Sequence, residues 1–262
     1  IAYLQDFWRA DGEYCRQAAT VKGKPLSPTY VKHNQGDIRL HIATYKPFVK
    51  MRLADITTGD LEKWLLWSRE AHGITGNRAN SALKLVKIAM AQAVRRGLIP
   101  TDPAKGIARA AEAKTEKGIL TQAEAAAVCA LPLDNPRRLL PVLLGLCCGM
   151  RSGEVRGLQW QDVQGGIIDI RHNWIDREGL KSPKCGSFRK VPYGAAVSAC
   201  LDAVRAQARH IGGADFVLES LFNDGEPVSK NFFVKGLWAA LADTGLSVEA
   251  QKRRNITPHS LR

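Results

Sequence analysis

Three separated segments of the sequence carry cationic side chains in patterns that suit chemistry at a phosphate group. Arg151 follows an apolar stretch and precedes Glu154 by three residues. Lys184 lies shortly before a predicted strand, and His259 and Arg262 are spaced so that one helical face carries both. Guanidinium groups neutralise the non-bridging oxygens of a pentavalent phosphorus, and lysine or histidine can move a proton at a bridging oxygen. The combination predicts phosphoryl transfer at a phosphodiester.

Each of these residues also has a purely structural explanation. An arginine after a helix, such as Arg151, often forms a surface ion pair, and Lys184 in a turn is often only solvated. Lys181 is the competing candidate for the lysine position, and His259 could be a structural histidine. The order and spacing of the three segments favour the chemical explanation.

Helical periodicity dominates the first part of the chain. Thr57 and Asp60 form a capping box at the start of one helix. The clearest helix is predicted over 77–96, where apolar residues keep the 3,4 spacing and Gly97 follows. One earlier helix is predicted to continue up to the break at Gly23. Its apolar stripe consists of Leu4, Phe7, Trp8, Tyr14 and Cys15.

The second part of the chain mixes helices with a few strands. A capping box at Thr121 and Glu124 opens it, and an apolar helix over 137–148 ends at Gly149. Period-two patterns and turn residues predict strands around Ile168 and Ile170 and at 189–193, with turns at 165–166 and 177–179. Helices are predicted at 195–209 and 229–242. Residues 257–262 are predicted to form the first turn of a further helix, with Thr257 as its cap.

Residues 104–117 join the two parts and are predicted to be an interdomain linker, because they are rich in Ala, Lys, Arg and Glu without a strong apolar stripe. The predicted domains are therefore 1–103 and 118–262. Residues 1–117 hold 20 Lys/Arg and 11 Asp/Glu, a net charge of +9, whereas 118–262 hold 18 and 14, a net charge of +4. The helical part is the more basic one, as expected for a clamp on phosphates.

Composition excludes several classes of protein. The 262 residues are 45% hydrophobic and 24% charged, which indicates a globular protein. The formal charge of +13 indicates a polyanionic partner, for which nucleic acid is the first candidate and an anionic membrane the second. No apolar run reaches the roughly 18 residues of a membrane span, and no secretory leader is visible. Six scattered cysteines without a CxxC pair argue against disulfides and zinc and favour reduced thiols in a cytoplasm. A start at Ile1 and an end at Arg262 suggest a piece of a longer protein.

Together the three segments resemble the tyrosine recombinases, the phage-type integrase family. The TGxRxxEhxxLxWxD box of that family matches 149–162, with Cys148 where threonine is common. The lysine-containing hairpin matches 184–192, and the HxLR box matches 259–262. The first part of the chain resembles the family's core-binding domain over 53–64 and 77–104.

The resemblance implies a role for each matching residue. Arg151 and Arg262 hold the scissile phosphate. Lys184 is the general acid for the leaving 5′ oxygen, and His259 orients the phosphate or assists as acid and base. Glu154 buttresses Arg151, although the spacing alone would also allow Glu154 to pair with Arg156.

The family's nucleophile is a tyrosine that follows the HxLR box. All five tyrosines of this chain precede that box, the last being Tyr193. We therefore expect a phosphate pocket without its nucleophile, truncated after the HxLR box, which does not cleave DNA by itself. The family's N-terminal arm-binding domain is also expected to be absent.

The fold class implied by the resemblance is mainly α with a small antiparallel β-sheet. A SAM-like, all-helical core-binding domain would precede a mixed α/β catalytic domain, as two arms of a C-shaped DNA clamp. In the first domain, Asn77, Arg78, Lys84 and Lys87 are the candidate DNA contacts; an ordinary solvated helix face is the alternative. The run 252–254 is either a phosphate-contacting loop or a plain solvent loop, and Leu158 and Trp160 are expected in the core.

The implied activity is site-specific recombination, the integration or excision of a phage or mobile element through a 3′-phosphotyrosyl intermediate. No metal or other cofactor is expected, because the arginines and the lysine supply the charge neutralisation that Mg²⁺ supplies elsewhere. The expected partner is double-stranded DNA, bound by a homotetramer that is a monomer without DNA. Accessory DNA-bending or directionality proteins are candidate partners, and a bacterial cytoplasm is the expected location.

Two rival functions stay open at this point. The first is a non-catalytic, sequence-specific DNA-binding protein on the same fold. The second, weaker rival is a basic protein that binds an anionic membrane or RNA. Such a protein would bind a specific DNA duplex no more tightly than random DNA.

Overall fold

A computed structural model describes residues 1–113, 116–183 and 186–261 of the chain. The chain divides into two compact units, Ile1–Thr115 and Glu116–Arg262. Each unit buries its own hydrophobic cluster, so each can be understood from its own sequence. Among the described residues, no helix combines the length and the apolar character that crossing a bilayer requires.

The regular elements in the described part of the first unit are all helices. Its α-helices are α1 (Ala2–Phe7), α2 (Glu13–Lys22), α3 (Pro28–Asp37), α4 (Pro47–Lys50), α5 (Thr58–Glu70) and α6 (Gly76–Arg95), with a π-helical turn at Ile38–Ile42 and a 3₁₀ turn at Leu53–Asp55. The capping box predicted at Thr57 and Asp60 is confirmed at the start of α5. Trp8 and Trp64 are fully buried in the core, and each indole N–H donates to a backbone carbonyl, that of Leu85 and that of His41 respectively.

The prediction of one uninterrupted helix up to Gly23 is wrong. The chain turns between α1 and α2, and Gly12 makes the turn possible. A Cβ atom at Gly12 would lie 2.5 Å from the carbonyl oxygen of Asp6, so only glycine allows this close return of the backbone. The stripe of aromatic residues is preserved because Phe7 and Tyr14 stack across the turn, with ring centroids 4.7 Å apart.

The longest described helix of this unit, α6, begins one residue before the predicted start. The hydroxyl of Thr75 caps it by accepting from the backbone N–H of Arg78. The apolar positions of α6 face the core as the 3,4 spacing predicts.

Part of the predicted linker packs onto the first unit. Ala104 and Ile107 are buried in its core. The amide of Asn80 on α6 donates to the carbonyl of Ala110 at 2.9 Å and accepts from its N–H at 2.8 Å. Residues 104–113 are thus attached to the helical unit by a pair of hydrogen bonds between the Asn80 side chain and the Ala110 backbone, a long-range arrangement that composition could not show.

The second unit combines helices with two small antiparallel sheets. Its elements are α7 (Gln122–Cys129), α8 (Pro136–Cys148), α9 (Ser152–Arg156), β1 (Val163–Gln164), β2 (Ile167–Ile170), β3 (Asn173–Ile175), β4 (Gly179–Lys181), β5 (Arg189–Pro192), α10 (Ala195–Gln207), α11 (Lys230–Asp243) and α12 (Val248–Arg253), with 3₁₀ turns at Trp160–Asp162 and Pro258–Leu261. The predicted class, mainly helical with a small antiparallel sheet, is confirmed.

The strands follow the period-two pattern of the sequence. β2 pairs with β1 on one side and with β5 on the other, in the register Ile168↔Val191 and Ile170↔Arg189. β3 and β4 form a separate hairpin around the turn predicted at 177–179. Ile168 and Ile170 point into the core, which explains the alternation of apolar residues along β2.

Helix α8 is the centre of the second unit. Leu140, Leu143 and Leu144 are almost completely buried, and α10 and α11 pack against the helix. Gly149 ends it in the left-handed conformation, at φ +60°. The core thus holds α8 in place, and the residues that follow Gly149 leave the helix at a defined point and direction.

The last described turn differs in its capping from the prediction. The Thr257 hydroxyl does not cap it: that oxygen is buried without a hydrogen-bond partner among the described residues. Instead the Ser260 hydroxyl accepts from the N–H of Thr257 at 3.0 Å. Which side chain caps a turn depends on the elements that pack against the turn. Here these elements are α8 and α11, and the local sequence pattern does not reveal their packing.

Candidate functional site

Arg151 stands at the exit of α8 and the entrance of α9. Met150 beside it is buried, whereas the Arg151 side chain is 36% exposed. Its backbone is extended, and its position as the N-cap of α9 makes Ser152, Gly153 and Glu154 the first turn of that helix. An apolar neighbour and a helix terminus together hold this arginine at the surface in a defined orientation.

Glu154 holds Arg151 by two of its atoms. One carboxylate oxygen accepts from the backbone N–H of Arg151 at 2.9 Å, and the other accepts from the Nη1 atom of the same residue at 2.8 Å. The carboxylate is only 1% exposed. The contact allows the role of supporting Arg151 that the resemblance implied for Glu154, and that role stays a prediction.

A second arginine, which sequence reasoning missed, meets the same carboxylate. Arg189, the first residue of β5, donates from Nη2 at 2.7 Å and from Nη1 at 3.2 Å to the two oxygens of Glu154. Its Nη2 atom also donates to the carbonyl of Gly149 at 3.2 Å. The sequence placed Arg189 at the start of a strand but contained no signal for its partner 35 positions away.

The charge balance around Glu154 sets its ionisation. Burial alone raises the pKa of this carboxyl group, but the hydrogen bonds from Arg189 and Arg151 outweigh burial, so the pKa lies below its ordinary value. Glu154 is therefore an anion at neutral pH. One buried negative charge faces two guanidinium groups, which leaves a net positive charge at this surface.

Arg156 does not compete for Glu154. Its Nε atom donates to the carbonyl of Val228 at 2.8 Å, and its guanidinium forms an ion pair with Asp176. The alternative pairing of Glu154 that the spacing allowed is therefore excluded. Arg156 instead joins α9 to the chain that precedes α11.

The Leu-x-Trp-x-Asp tail of the box is structural. Leu158 and Trp160 lie in the core, as predicted. Asp162 is buried and accepts from the N–H of Gln159, from Arg171 and from Nδ1 of His172, the last at 2.9 Å. This carboxylate ties the 3₁₀ turn after α9 to the connection between β2 and β3.

His259 lies exposed on the 3₁₀ turn Pro258–Leu261, which packs on α8. Leu261 of that turn contacts Gly145, where a Cβ atom would lie 2.8 Å from the leucine Cδ1. The turn carrying His259 and the segment carrying Arg151 are therefore both supported by α8. Lys184 and Arg262 lie outside the described residues, so the convergence of the four side chains stays a prediction.

The competing lysine and the basic run near the end of the chain have partners of their own. Lys181 forms an ion pair with Glu178, i to i+3. Lys252 lies over the Trp238 ring, 5.6 Å from its centroid, and Arg254 pairs with Glu124. Arg254 therefore has a structural contact, which neither of the two explanations of the run 252–254 included.

The candidate DNA contacts of the first unit differ in what surrounds them. Arg78 forms an ion pair with Asp37 at 2.9 Å. The Lys87 ammonium donates to the carbonyl of Ile107 at 2.8 Å, whereas Lys84 is exposed. These contacts leave Lys84 as the candidate whose ammonium is most available to a phosphate.

Asn77 belongs to a small polar network beside these lysines. In the orientation that satisfies its hydrogen bonds, its amide nitrogen donates to the carboxylate of Glu112 at 2.5 Å. Glu112 also accepts from Asn80, and this bond and the one from Arg109 lower its pKa. Asn77, Lys84 and Lys87 share an open groove of about 370 Å³ on α6.

Within 1–113, 116–183 and 186–261, no three His, Cys, Asp or Glu side chains are grouped as a metal site requires. The described cysteines are free thiols, and burial raises the pKa of Cys200 to about 12. Burial also raises the pKa of Cys15, Cys147 and Cys148, which makes these thiols less reactive as nucleophiles.

Solved structures of integrases share this fold. A λ integrase dimer bound to a COC′ core site matches with a TM-score of 0.66 and 18% identity over 99% of this chain and 67% of that chain. A Tn1549 transposon integrase in complex with transposon right end DNA matches with a TM-score of 0.70 and 18% identity, over 98% of this chain and 83% of that chain. A λ integrase tetramer bound to a Holliday junction matches with a TM-score of 0.66 over 94% of this chain and 66% of that chain.

Sequence comparisons add nothing to these structural similarities. No protein-family model matches the chain, and no curated protein matches it. At 18% identity the solved structures establish the fold alone: the chain has the fold of these integrases, as the resemblance predicted.

Proposed function

We propose that the chain is the core-binding and catalytic part of a site-specific DNA recombinase that breaks and rejoins strands through a 3′-phosphotyrosyl intermediate. The observation that carries the proposal is the arginine held by a buried carboxylate, Arg151 on Glu154, in the fold of integrases that were solved on DNA. A fixed, partly exposed guanidinium is what a phosphate site requires.

The proposed chemistry starts at one DNA phosphate. Arg151 and Arg262 neutralise its non-bridging oxygens while a tyrosine oxygen attacks phosphorus and the 5′ oxygen leaves. Lys184 gives that leaving oxygen a proton, and His259 orients the phosphate or assists in proton transfer. A 5′-hydroxyl from another strand then attacks the phosphotyrosyl bond and releases the tyrosine, so the energy of the phosphodiester is conserved.

The nucleophile must come from outside these 262 residues, because no tyrosine follows Tyr193. Proposed partners are double-stranded DNA and further copies of the chain, as in the dimer and tetramer of λ integrase. Integration or excision of a phage or mobile element, in the cytoplasm of a bacterial host, is the proposed setting. Binding would begin with the basic helical unit, whose net charge of +9 attracts the duplex.

The test uses the complete product of the gene. Duplexes that it binds are selected from a random library, and covalent adducts that survive SDS are then measured for the wild type and for Arg151→Ala. We expect the variant to lose adduct about 100-fold or more while duplex binding falls less than about tenfold. Lys235→Ala, which removes an exposed cation on α11, is the control.

Three results would contradict the proposal. Adduct formation that is unchanged in Arg151→Ala would remove this arginine from the chemistry. Selected duplexes that bind tightly but never form an adduct with the wild type would favour the non-catalytic DNA-binding protein. A titration in which no duplex outcompetes random DNA or RNA would favour a non-specific polyanion-binding protein instead.

A further inference from the structure

We propose that Arg189 is a positioning residue, which acts through Glu154 to orient Arg151 and to leave the charge of Arg151 available to a phosphate. The proposal rests on the proposed phosphate site. Arg189 lies within the hairpin match 184–192, but the motif gave it no role.

The first observation is how completely Glu154 is shared. Each of its two oxygens accepts one hydrogen bond from Arg151 and one from Arg189, at distances between 2.7 and 3.2 Å. A buried carboxylate with these four donors has one rotamer that satisfies all of them. Removing Arg189 leaves half of these bonds unmade and lets the carboxylate turn toward Arg151.

The second observation is the charge count. Glu154 and Arg151 alone form a neutral pair, and a phosphate beside a neutral pair gains little. Arg189 supplies a second positive charge to the same carboxylate, so the group of three is net positive. The Arg189 side chain is 28% exposed and that of Arg151 36%, so the surplus charge lies at the surface where an anion can reach it.

The third observation is where Arg189 is mounted. It pairs with Ile170 across the sheet, and Ile170 is buried in the core. The guanidinium is therefore supported by β2 and β5, while Glu154 is supported by α9. The hydrogen bond from Arg189 to the carbonyl of Gly149 adds a link to the residue that ends α8. Arg151 is thereby oriented by two elements that the core holds independently.

The experiment measures binding of inorganic phosphate to the 262-residue chain, with NMR signals of arginine Nε–H groups and of the Glu154 carboxyl carbon as readouts. Variants are Arg189→Ala, Arg189→Lys, Arg151→Ala and the double alanine variant. We expect Arg151→Ala to weaken phosphate binding about tenfold and Arg189→Ala to weaken it between about threefold and tenfold. Arg189→Lys retains the charge and should stay within about threefold of the wild type.

The double variant distinguishes positioning from a separate structural role. If Arg189 acts through Arg151, the double variant should bind phosphate within about twofold of Arg151→Ala alone. In Arg189→Ala the pKa of Glu154 should rise, and the Nε–H signal of Arg151 should shift and broaden. Lys235→Ala, at an exposed position on α11, should change none of these readouts.

The proposal is overturned if the two single losses multiply in the double variant, or if Arg189→Ala leaves the Arg151 signal and the Glu154 pKa unchanged. Absence of phosphate binding by the wild type would contradict the proposed phosphate site instead, and the two NMR readouts would still decide whether Arg189 orients Arg151. Where Arg189→Ala does not fold, Arg189→Lys is compared with the wild type. The lysine keeps the positive charge but cannot donate to both oxygens of Glu154 with a planar fork, so the Nε–H signal of Arg151 should still shift. An unchanged Arg151 signal in that variant would overturn the proposal.

Discussion

Arg254 donates from both terminal nitrogens to the carboxylate of Glu124, although 130 positions separate the two residues. Glu124 simultaneously accepts from the backbone N–H of Thr121 in the capping box of α7. Arg254 also donates to the carbonyl of Ile119. One ion pair therefore connects the first helix of the second unit to the chain that leads into the turn carrying His259.

This pair predicts a pH dependence of stability. The hydrogen bonds from Arg254 and Thr121 lower the pKa of Glu124 from 4.5 to about 2. Because the folded pKa is depressed, the stabilisation is fully present above about pH 4.5 and is lost as the pH falls toward 2. We expect Glu124→Gln to lower the free energy of unfolding by about 1–3 kcal/mol at pH 7, measured in urea.

The difference between the wild type and Glu124→Gln should shrink as the pH falls through that window, since the wild type then loses the same charge. Glu249→Gln, at an exposed position in the first turn of α12, is the control and should change stability by less than about 0.5 kcal/mol. A difference that stays constant between pH 5 and pH 2.5 would show that the ion pair does not stabilise the fold.

Glu154 should be the most sensitive charged position of the second unit. Glu154→Gln keeps the shape of the side chain but leaves Arg151 and Arg189 facing a neutral amide that has one acceptor oxygen. We expect a loss of about 3 kcal/mol in the free energy of unfolding, because a buried ion group is broken on one side only. Equilibrium unfolding in urea measures this difference between the variant and the wild type. A decrease of less than about 0.5 kcal/mol in the free energy of unfolding would contradict the buried contact.

Two glycines test whether 104–113 packs on the first unit. A Cβ atom at Gly76 would lie 1.9 Å from the carbonyl oxygen of Ala111, whereas at Gly36 in α3 it would meet nothing within 4 Å. Gly76→Ala should therefore destabilise the first unit by about 2 kcal/mol, since the backbone of 110–112 must move. Gly36→Ala should stabilise it by about 0.5–1 kcal/mol. Thermal unfolding of both variants gives the answer; equal effects would place the 104–113 segment away from α6.

Lys84 should contribute to duplex binding without contributing to stability. Its ammonium is exposed, so Lys84→Ala removes one phosphate contact and is expected to weaken binding of a random duplex about threefold at 0.1 M salt. The slope of log K against log salt should fall by about 1. Lys63→Ala on α5 is the comparison, measured by fluorescence anisotropy. An unchanged slope in Lys84→Ala would assign this lysine to the solvated face of α6.

Sequence alone determined the elements and motifs that depend on neighbours within about four residues. The capping boxes at Thr57 and Thr121, helix α6 and the alternation along β2 all follow from local hydrogen bonds and periodicity. The resemblance implied that Glu154 supports Arg151, whereas the spacing alone also allowed a pair with Arg156, and only the structure decides between the two.

The tertiary structure decided the contacts between residues that are far apart in the chain. Arg189 on β5 reaches Glu154 on α9 although 35 positions separate them, and Asn80 meets Ala110 only because 104–113 folds back on α6. Gly12 turns the chain where the apolar stripe alone predicts a continuous helix. Such pairings depend on how the elements pack in three dimensions, and a sequence pattern does not contain the spatial distance between residues that are far apart in the chain.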